Sequence, residues 1–274
     1  MRILLTGGSG IIGSELKKHL RGPTHEIITV GRSQSKHDHE LNLCDRESVV
    51  SVLSQIGPID CVIHLAAKAH ELNSTSREEI YDQNVSSTRN LIEGLTATSD
   101  LSRLLFIFAS TVAVFEKGPK TKLSPYAESK LAAEELLVGA GFGSLRVLRF
   151  APIYSTDILQ DISKRVLIPG IAIKLKLLPE PAYCVCHLNT AVESIIDAIE
   201  RNSESNKIVV SEVDLVPQSA LARLVPGKWV VPFPRILLQL LGRFLAHFPG
   251  IPGQIGILVK KVADPDDFRK YVAD

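Results

Sequence analysis

Residues Thr6-Gly7-Gly8-Ser9-Gly10-Ile11-Ile12-Gly13 set three glycines three residues apart, directly after the apolar run Ile3-Leu4-Leu5 and at the head of a helical stretch. Nothing else in the chain constrains its fold as much. Gly7 suits a tight turn, Gly10 lets backbone approach a pyrophosphate, and Gly13 lets helix and strand pack closely. The phosphates would then meet the helix N-terminus, whose first turn holds Ile11 and Ile12. No lysine follows the glycines, which excludes a P-loop. The pattern predicts a dinucleotide site in the first strand-helix unit.

Strand-length apolar runs follow at 26–30, 61–65, 104–109 and 145–150, after the first at 2–6. Between them lie helical stretches at 13–21, 46–55, 80–96 and 124–139. Such alternation predicts an α/β fold, a doubly wound parallel sheet covered on both faces. After about residue 155 the pattern breaks into proline-interrupted pieces, with one further helix expected over 189–201 and one strand over 207–211. The expected organisation is a dinucleotide-binding domain over 1–155, to which 187–211 return, and a small C-terminal substrate lobe over 156–186 and 212–274. At 45% hydrophobic and 22% charged, the 274 residues fit neither a disordered chain nor a coiled-coil rod.

Lys and Arg number 31 against 30 Asp and Glu, so no global basic field exists to hold nucleic acid or an anionic membrane. Cys44, Cys61, Cys184 and Cys186 are too scattered to staple a secreted mini-domain, and a cytoplasmic protein is expected. Cys184 and Cys186 would share one face of a strand, without a second pair to complete a zinc site. His37-Asp38-His39-Glu40 reads as a solvated loop, so no metal site is expected. The opening apolar stretch is too short for a signal peptide and reads as a buried first strand.

From Trp229 to Val259 the chain is strongly apolar, but Arg235, Arg243, His247 and four prolines interrupt it, so it does not span a bilayer. Residues 234–248 read as an amphipathic helix with Arg235, Gln239 and Arg243 along one side. Packing on the core or across a homodimer is the expectation for its apolar side, ahead of docking on a membrane surface.

The second strand ends Val30-Gly31-Arg32-Ser33. An acidic residue there would accept hydrogen bonds from the ribose of NAD, whereas a guanidinium with a neighbouring hydroxyl suits the extra phosphate of NADP. Arg32 and Ser33 favour NADP. Asp38 or Glu40 folding back toward the ribose is the alternative, favouring NAD.

Ser124-Pro125-Tyr126-Ala127-Glu128-Ser129-Lys130 places a serine N-cap and a proline at the first helical position, so Tyr126 and Lys130 lie one turn apart on one face. A free tyrosine is a poor acid or base at neutral pH. A neighbouring ammonium, with a cationic nicotinamide, would stabilise the phenolate and bring it toward working range.

With these motifs the chain resembles the extended branch of the short-chain dehydrogenase/reductase superfamily, the NAD(P)-dependent nucleotide-sugar epimerases, dehydratases and reductases. The resemblance covers roughly residues 1–200 and runs through TGGSGIIG (6–13), HLAA (64–67), YDQNVSSTRNL (81–91), FASTVAVF (108–115), YAESK (126–130) and RFAPIYS (149–155). It implies a Rossmann domain in which Asn42 and Leu43 lie beside the adenine, Asn replacing the family's usual Asp. Leu65, Ala66 and Ala67 would line the pyrophosphate and ribose, and Asn84 would flank the active site. Thr111 would hydrogen-bond the reacting sugar oxygen, Tyr126 move its proton, and Lys130 bond the nicotinamide ribose. Ala151, Pro152 and Ile153 would border the carboxamide.

Departures from the family narrow the implied reaction. The 4,6-dehydratases follow the catalytic threonine with an acidic pair, whereas Val112 and Ala113 follow Thr111; the cysteine of GDP-fucose synthases is also missing here. The resemblance thus implies reduction of a 4-keto nucleotide sugar with NADPH, or alternatively 4-epimerisation with bound NAD; a non-catalytic NADP sensor is the alternative of another class. Lys164, Arg165, Lys174, Lys176, Arg223 and Lys228 are candidate diphosphate partners.

Overall fold

Ile3, Leu4 and Leu5 are fully buried because β1 (Arg2–Thr6) runs through the middle of a parallel sheet covered on both faces. The computed structural model describes residues 1–20, 22–68, 77–115, 123–168, 172–200, 207–227, 229–245, 255, 259 and 262–271. The chain continues through α1 (Ile11–Leu20), β2 (Glu26–Gly31), β3 (His39–Glu40), α2 (Arg46–Ile56), β4 (Cys61–His64), α3 (Arg77–Thr98), β5 (Leu105–Thr111), α4 (Pro125–Val138) and β6 (Ser144–Phe150). Then follow β7 (Ile153–Tyr154), α5 (Gln160–Val166), β8 (Ile173–Leu178), β9 (Ala182–Tyr183), β10 (Cys186–His187), α6 (Leu188–Glu200), β11 (Lys207–Val210), β12 (Val216–Pro217), α7 (Gln218–Leu224), β13 (Trp229–Pro234) and α8 (Arg235–Leu245).

Seven parallel strands pair in the order β11-β6-β5-β4-β1-β2-β3. The order reverses between β1 and β4, which opens a crevice at their carboxyl ends, where such sheets bind ligands. Alternate residues of each strand feed opposite layers. Ile3, Leu5, Ile63, Ile107 and Leu148 pack with Leu16 of α1 and Val192 and Ile195 of α6. Leu4, Val62, Phe106, Phe108 and Val147 pack with Val49 and Leu53 of α2, Leu91 of α3 and Leu137 of α4. Both faces being buried, the strands read as continuous apolar runs. The expected helix starts follow from local chemistry: Asp45 caps α2 through Ser48 N, and Ser124 caps α4 through Ala127 N with Pro125 at the first helical position.

α6 packs in the first cluster and β11 pairs with β6 at the sheet edge. A third, separate cluster holds Ile162, Val166, Tyr183, Val185, Leu221 and Val225. Cys184 and Cys186 share the opposite face from Tyr183 and Val185, buried in the first cluster as free thiols. Of the residues singled out in the sequence, Arg21, Arg201, Lys228, His247, Phe248, Pro249 and Pro252 lie outside the described residues.

The helix expected over 234–248 forms as α8, but its packing departs from expectation. Ile236, Leu237, Leu240, Leu241 and Phe244 are exposed, and Arg235 and Gln239 turn inward. Two bonds to the Ala263 carbonyl hold that polar side against the protein, so the apolar side does not reach the core. Among the described residues, no helix is long and apolar enough to cross a membrane.

Candidate active site

Gly7 has a φ of +73°, and a Cβ on it would lie 2.7 Å from Ala66 N and 2.8 Å from the Leu65 carbonyl carbon. The glycine turn therefore rests directly on the Leu65–Ala66 segment at the end of β4. A Cβ on Gly13 would stand 2.4 Å from Gly7 O, so only glycine lets α1 start this close to β1. Gly10 and Ile11 are exposed, and the first turn of α1 carries no acidic side chain. A helix start that is open, free of negative side chains and cradled by glycine backbone fits a pyrophosphate.

A buried relay holds this loop in place. Ala66 N donates to Thr6 Oγ1 at 3.2 Å, Thr6 Oγ1 lies 2.7 Å from His64 Nδ1, His64 Nε2 lies 3.2 Å from Thr88 Oγ1, and Thr88 donates to Asn84 O at 2.9 Å. Because Thr88 spends its hydrogen on Asn84, the network assigns the histidine proton to Nε2 and makes Nδ1 the acceptor from Thr6. Burial, helped by the Lys130 charge, pushes His64 down to about 3 and keeps it neutral.

At the end of β2 the candidate acid is committed elsewhere. Asp38 Oδ2 accepts from Thr29 N at 2.7 Å and from Thr29 Oγ1 at 2.8 Å, in mid-strand. Burial opposes its charge, yet these bonds outweigh burial and hold its pKa below the usual value. Arg32 is exposed, and its charge opposes the burial that raises the Cys44 thiol. Asn42 is exposed with Oδ1 accepting from Cys44 N, and Leu43 is buried beneath it. Ser33 is half-buried and pairs with Ser35.

Tyr126 and Lys130 share one face of α4. Lys130 Nζ donates to Ala109 O at 2.7 Å, lies 4.6 Å from the Phe108 ring centre and 5.9 Å from that of Tyr126. Burial pushes Lys130 down to about 7 against the opposing pull of Glu134. Burial also raises Tyr126 to about 12, with the Asp161 charge adding to it. At Tyr126 desolvation dominates, and the Lys130 ammonium is directed at a β5 carbonyl. Thr111 closes β5 half-buried, its Oγ1 accepting from Ala113 N at 3.2 Å.

Asn84 is buried, and its carboxamide accepts from Lys68 N at 2.8 Å and donates to Lys68 O and to Ser129 Oγ at 2.9 Å, joining the loop after β4 to α4. Ala67 is exposed in that loop. Ala151 is buried and donates to Val210 O, and Ile153 begins β7, both just beyond the end of β6. Among the basic candidates, Lys164 pairs with Asp161 at 2.9 Å and Arg165 lies over the Tyr183 ring, whereas Lys176 and Arg223 are exposed.

Sequence reasoning missed the group one turn beyond Lys130. Glu134 is buried, receives Arg149 Nη2 at 2.6 Å and Nε at 3.0 Å, and accepts from Ser110 at 2.5 Å. A glutamate on the Tyr126-Lys130 face and an arginine inside an apolar strand were the available signals, since buried charges must be paired.

Fold and loop together define a dinucleotide-binding protein with a doubly wound sheet. Residues 3–174 match the family model described as the NAD dependent epimerase/dehydratase family, and the chain belongs to that family. A UDP-glucose 4-epimerase of Streptococcus mutans serotype c is 29% identical over 156 residues, 50% of this chain and 46% of that protein. The chain spans about half the length of the curated relatives it matches. The UDP-Glc/GlcNAc 4-epimerase from Campylobacter jejuni superposes with a TM-score of 0.69 at 19% identity over 85% of this chain and 86% of that one. A dTDP-4-dehydrorhamnose reductase ortholog from Clostridium acetobutylicum gives 0.64 at 18% identity over 85% and 84%. At these identities the two structures bear on the fold alone.

Proposed function

We propose that the protein is an NADP-linked oxidoreductase of a nucleotide sugar, and that its net reaction is reduction of a 4-keto group. The observation that carries this reading is the Tyr126–Lys130 pair, held on one face of α4 against the carboxyl end of β5 with Lys130 buried and Tyr126 half-buried. Bound nicotinamide would supply the hydride. Tyr126 Oη gives its proton to the carbonyl oxygen, Thr111 Oγ1 aligns that oxygen, and Lys130 favours the phenolate that forms. Gly7, Gly10, Gly13, Ile11 and Ile12 hold the pyrophosphate, with Leu65, Ala66 and Ala67 against it; Asn42 and Leu43 border the adenine, and Ala151 and Ile153 the carboxamide. Asn84 acts by positioning the loop after β4.

Arg32 and Ser33 at the end of β2, with Asp38 turned away onto Thr29, support NADP over NAD. The third apolar cluster supports assigning 156–186 and 212–274 to a substrate lobe, and the buried free thiols support a reducing, cytoplasmic setting. A 4-epimerase holding NAD is the second reading, favoured by the likeness to epimerases in sequence. The test is to supply a 4-keto-6-deoxy nucleotide sugar with NADPH and follow reduced-cofactor absorbance. Stoichiometric consumption supports the reductase; interconversion of UDP-sugars at carbon 4 with no added cofactor replaces it with the epimerase.

A further inference from the structure

α8 is folded with its sides reversed relative to a core helix. Ile236, Leu237, Leu240, Leu241 and Phe244 fall on one face by helical spacing, and all five are exposed, Phe244 to 63%. The inward side is held by polar bonds: Arg235 Nε and Gln239 Nε2 donate to Ala263 O, and Arg235 Nη2 approaches Asp264 at 3.8 Å. The strand feeding this helix continues the apolar surface, with Trp229 exposed to 74% and Val230 and Val231 also exposed.

Charge says what such a surface meets. Between Leu215 and Ala263 lie 49 residues with no Asp or Glu and six cations, Arg223, Lys228, Arg235, Arg243, Lys260 and Lys261. The rest of the chain holds the other 25 Lys and Arg against all 30 Asp and Glu, so the near-neutral total conceals a basic, apolar segment on an acidic remainder. A second copy meeting this face about a two-fold axis would set the same acid-free, cationic segment against itself. An anionic lipid surface satisfies both features: the aliphatic row enters the acyl boundary, the exposed Arg243 of α8 meets headgroups, and a tryptophan settles at the interface.

We propose that the surface formed by β13 and α8 docks in-plane on an anionic phospholipid membrane, with the aliphatic face of α8 inserted. This attachment is independent of the reaction the site performs.

The chain has one tryptophan, Trp229, so its emission reports this surface directly. Vesicles of phosphatidylcholine with phosphatidylglycerol should move the emission to shorter wavelength and pellet the protein. Partitioning should be at least about tenfold stronger than to phosphatidylcholine alone, and should weaken at high salt. Leu240→Glu and, separately, Leu237→Glu should each lower partitioning at least about tenfold, and should leave the unfolding midpoint unchanged because both side chains are exposed. An unshifted emission with no pelleting overturns the proposal. So does vesicle binding that both variants retain. Ultracentrifugation showing a dimer that Leu240→Glu dissociates, with vesicles inert, assigns the face to a second copy instead, and capture only by an acidic protein does the same for that class.

Discussion

Thr6 and His64 are joined at 2.7 Å across the point where the strand order reverses, so the last residue of β1 grips the last residue of β4 directly beneath the glycine turn. His64 is buried and neutral, pushed down to about 3 by burial with Lys130 adding to it. Its folded-state pKa lies below the unfolded one, so between about 3 and 6.5 the unfolded chain binds more protons and stability falls with falling pH. This one group contributes a slope of up to about 1.4 kcal/mol per pH unit in that window. Urea unfolding at pH 7 and pH 5 should show the loss in the native protein and a shallower slope in His64→Asn. Equal slopes would mean that His64 does not carry the effect.

Glu134 and Arg149 form a bidentate pair inside the α4–β6 contact, with Ser110 as a third partner. Removing one member leaves the other charge buried and unpaired, which costs about 3–5 kcal/mol. Glu134→Gln should therefore destabilise strongly and Ser110→Ala by only about 1 kcal/mol. Glu134→Gln combined with Arg149→Met should cost less than the two single changes together, as read from urea midpoints in a double-mutant cycle. Strict additivity would show that the pair is not coupled.

Much of the fold was legible because every sheet strand except β3 carries an apolar run; β3, His39–Glu40, lies in the segment that read as a solvated loop. α4 starts where Ser124 and Pro125 place it, α2 starts at Arg46 as its apolar spacing implied, and the helices otherwise differ from expectation by one to three residues at their ends. What stayed hidden depended on contacts between distant segments. Amphipathic spacing in 234–248 revealed two sides of a helix but not which side the protein would cover; that is decided by the Ala263 carbonyl. The competition between Arg32 and Asp38 at the end of β2 was open in sequence, and the turn that delivers Asp38 to Thr29 decides where the acid goes. The Tyr126-Lys130 spacing gave their shared face, whereas their proton affinities are set by burial that spacing does not show.

Cofactor choice gives the third prediction. Asp38 is held by Thr29, whereas Glu40 stays exposed on β3 beside Gly31, so the proposed NADP preference rests on Arg32 and Ser33 outcompeting Glu40 at the adenosine 2′-position. NADPH should bind at least about tenfold tighter than NADH, roughly 1.4 kcal/mol, by calorimetry at fixed salt. Arg32→Asp should reverse the order. Equal affinities in the native protein would show that Arg32 only faces solvent and would move the cofactor reading to NAD.

The last prediction joins Tyr126 and Lys130 through pH. In the direction of reduction Tyr126 must deliver a proton, and with its pKa raised to about 12 by burial it is protonated throughout the neutral range. The demanding moment is the phenolate that results, which a charged Lys130 would stabilise beside the oxidised nicotinamide. Burial lowers Lys130 to about 7, so the ammonium is lost as pH climbs through that value. Reduction with NADPH should therefore show kcat/KM level below about pH 7 and falling above it, the fall reporting the free enzyme. Tyr126→Phe should lower kcat by about 10²–10⁴ with NADPH affinity nearly unchanged, since the phenol carries the proton and little binding. Lys130→Met should lower both kcat and cofactor affinity and erase the decline above neutrality in whatever activity remains. Near-normal turnover of the Phe variant would remove Tyr126 from the reaction, and an undiminished alkaline decline in the Met variant would assign that titration to another group.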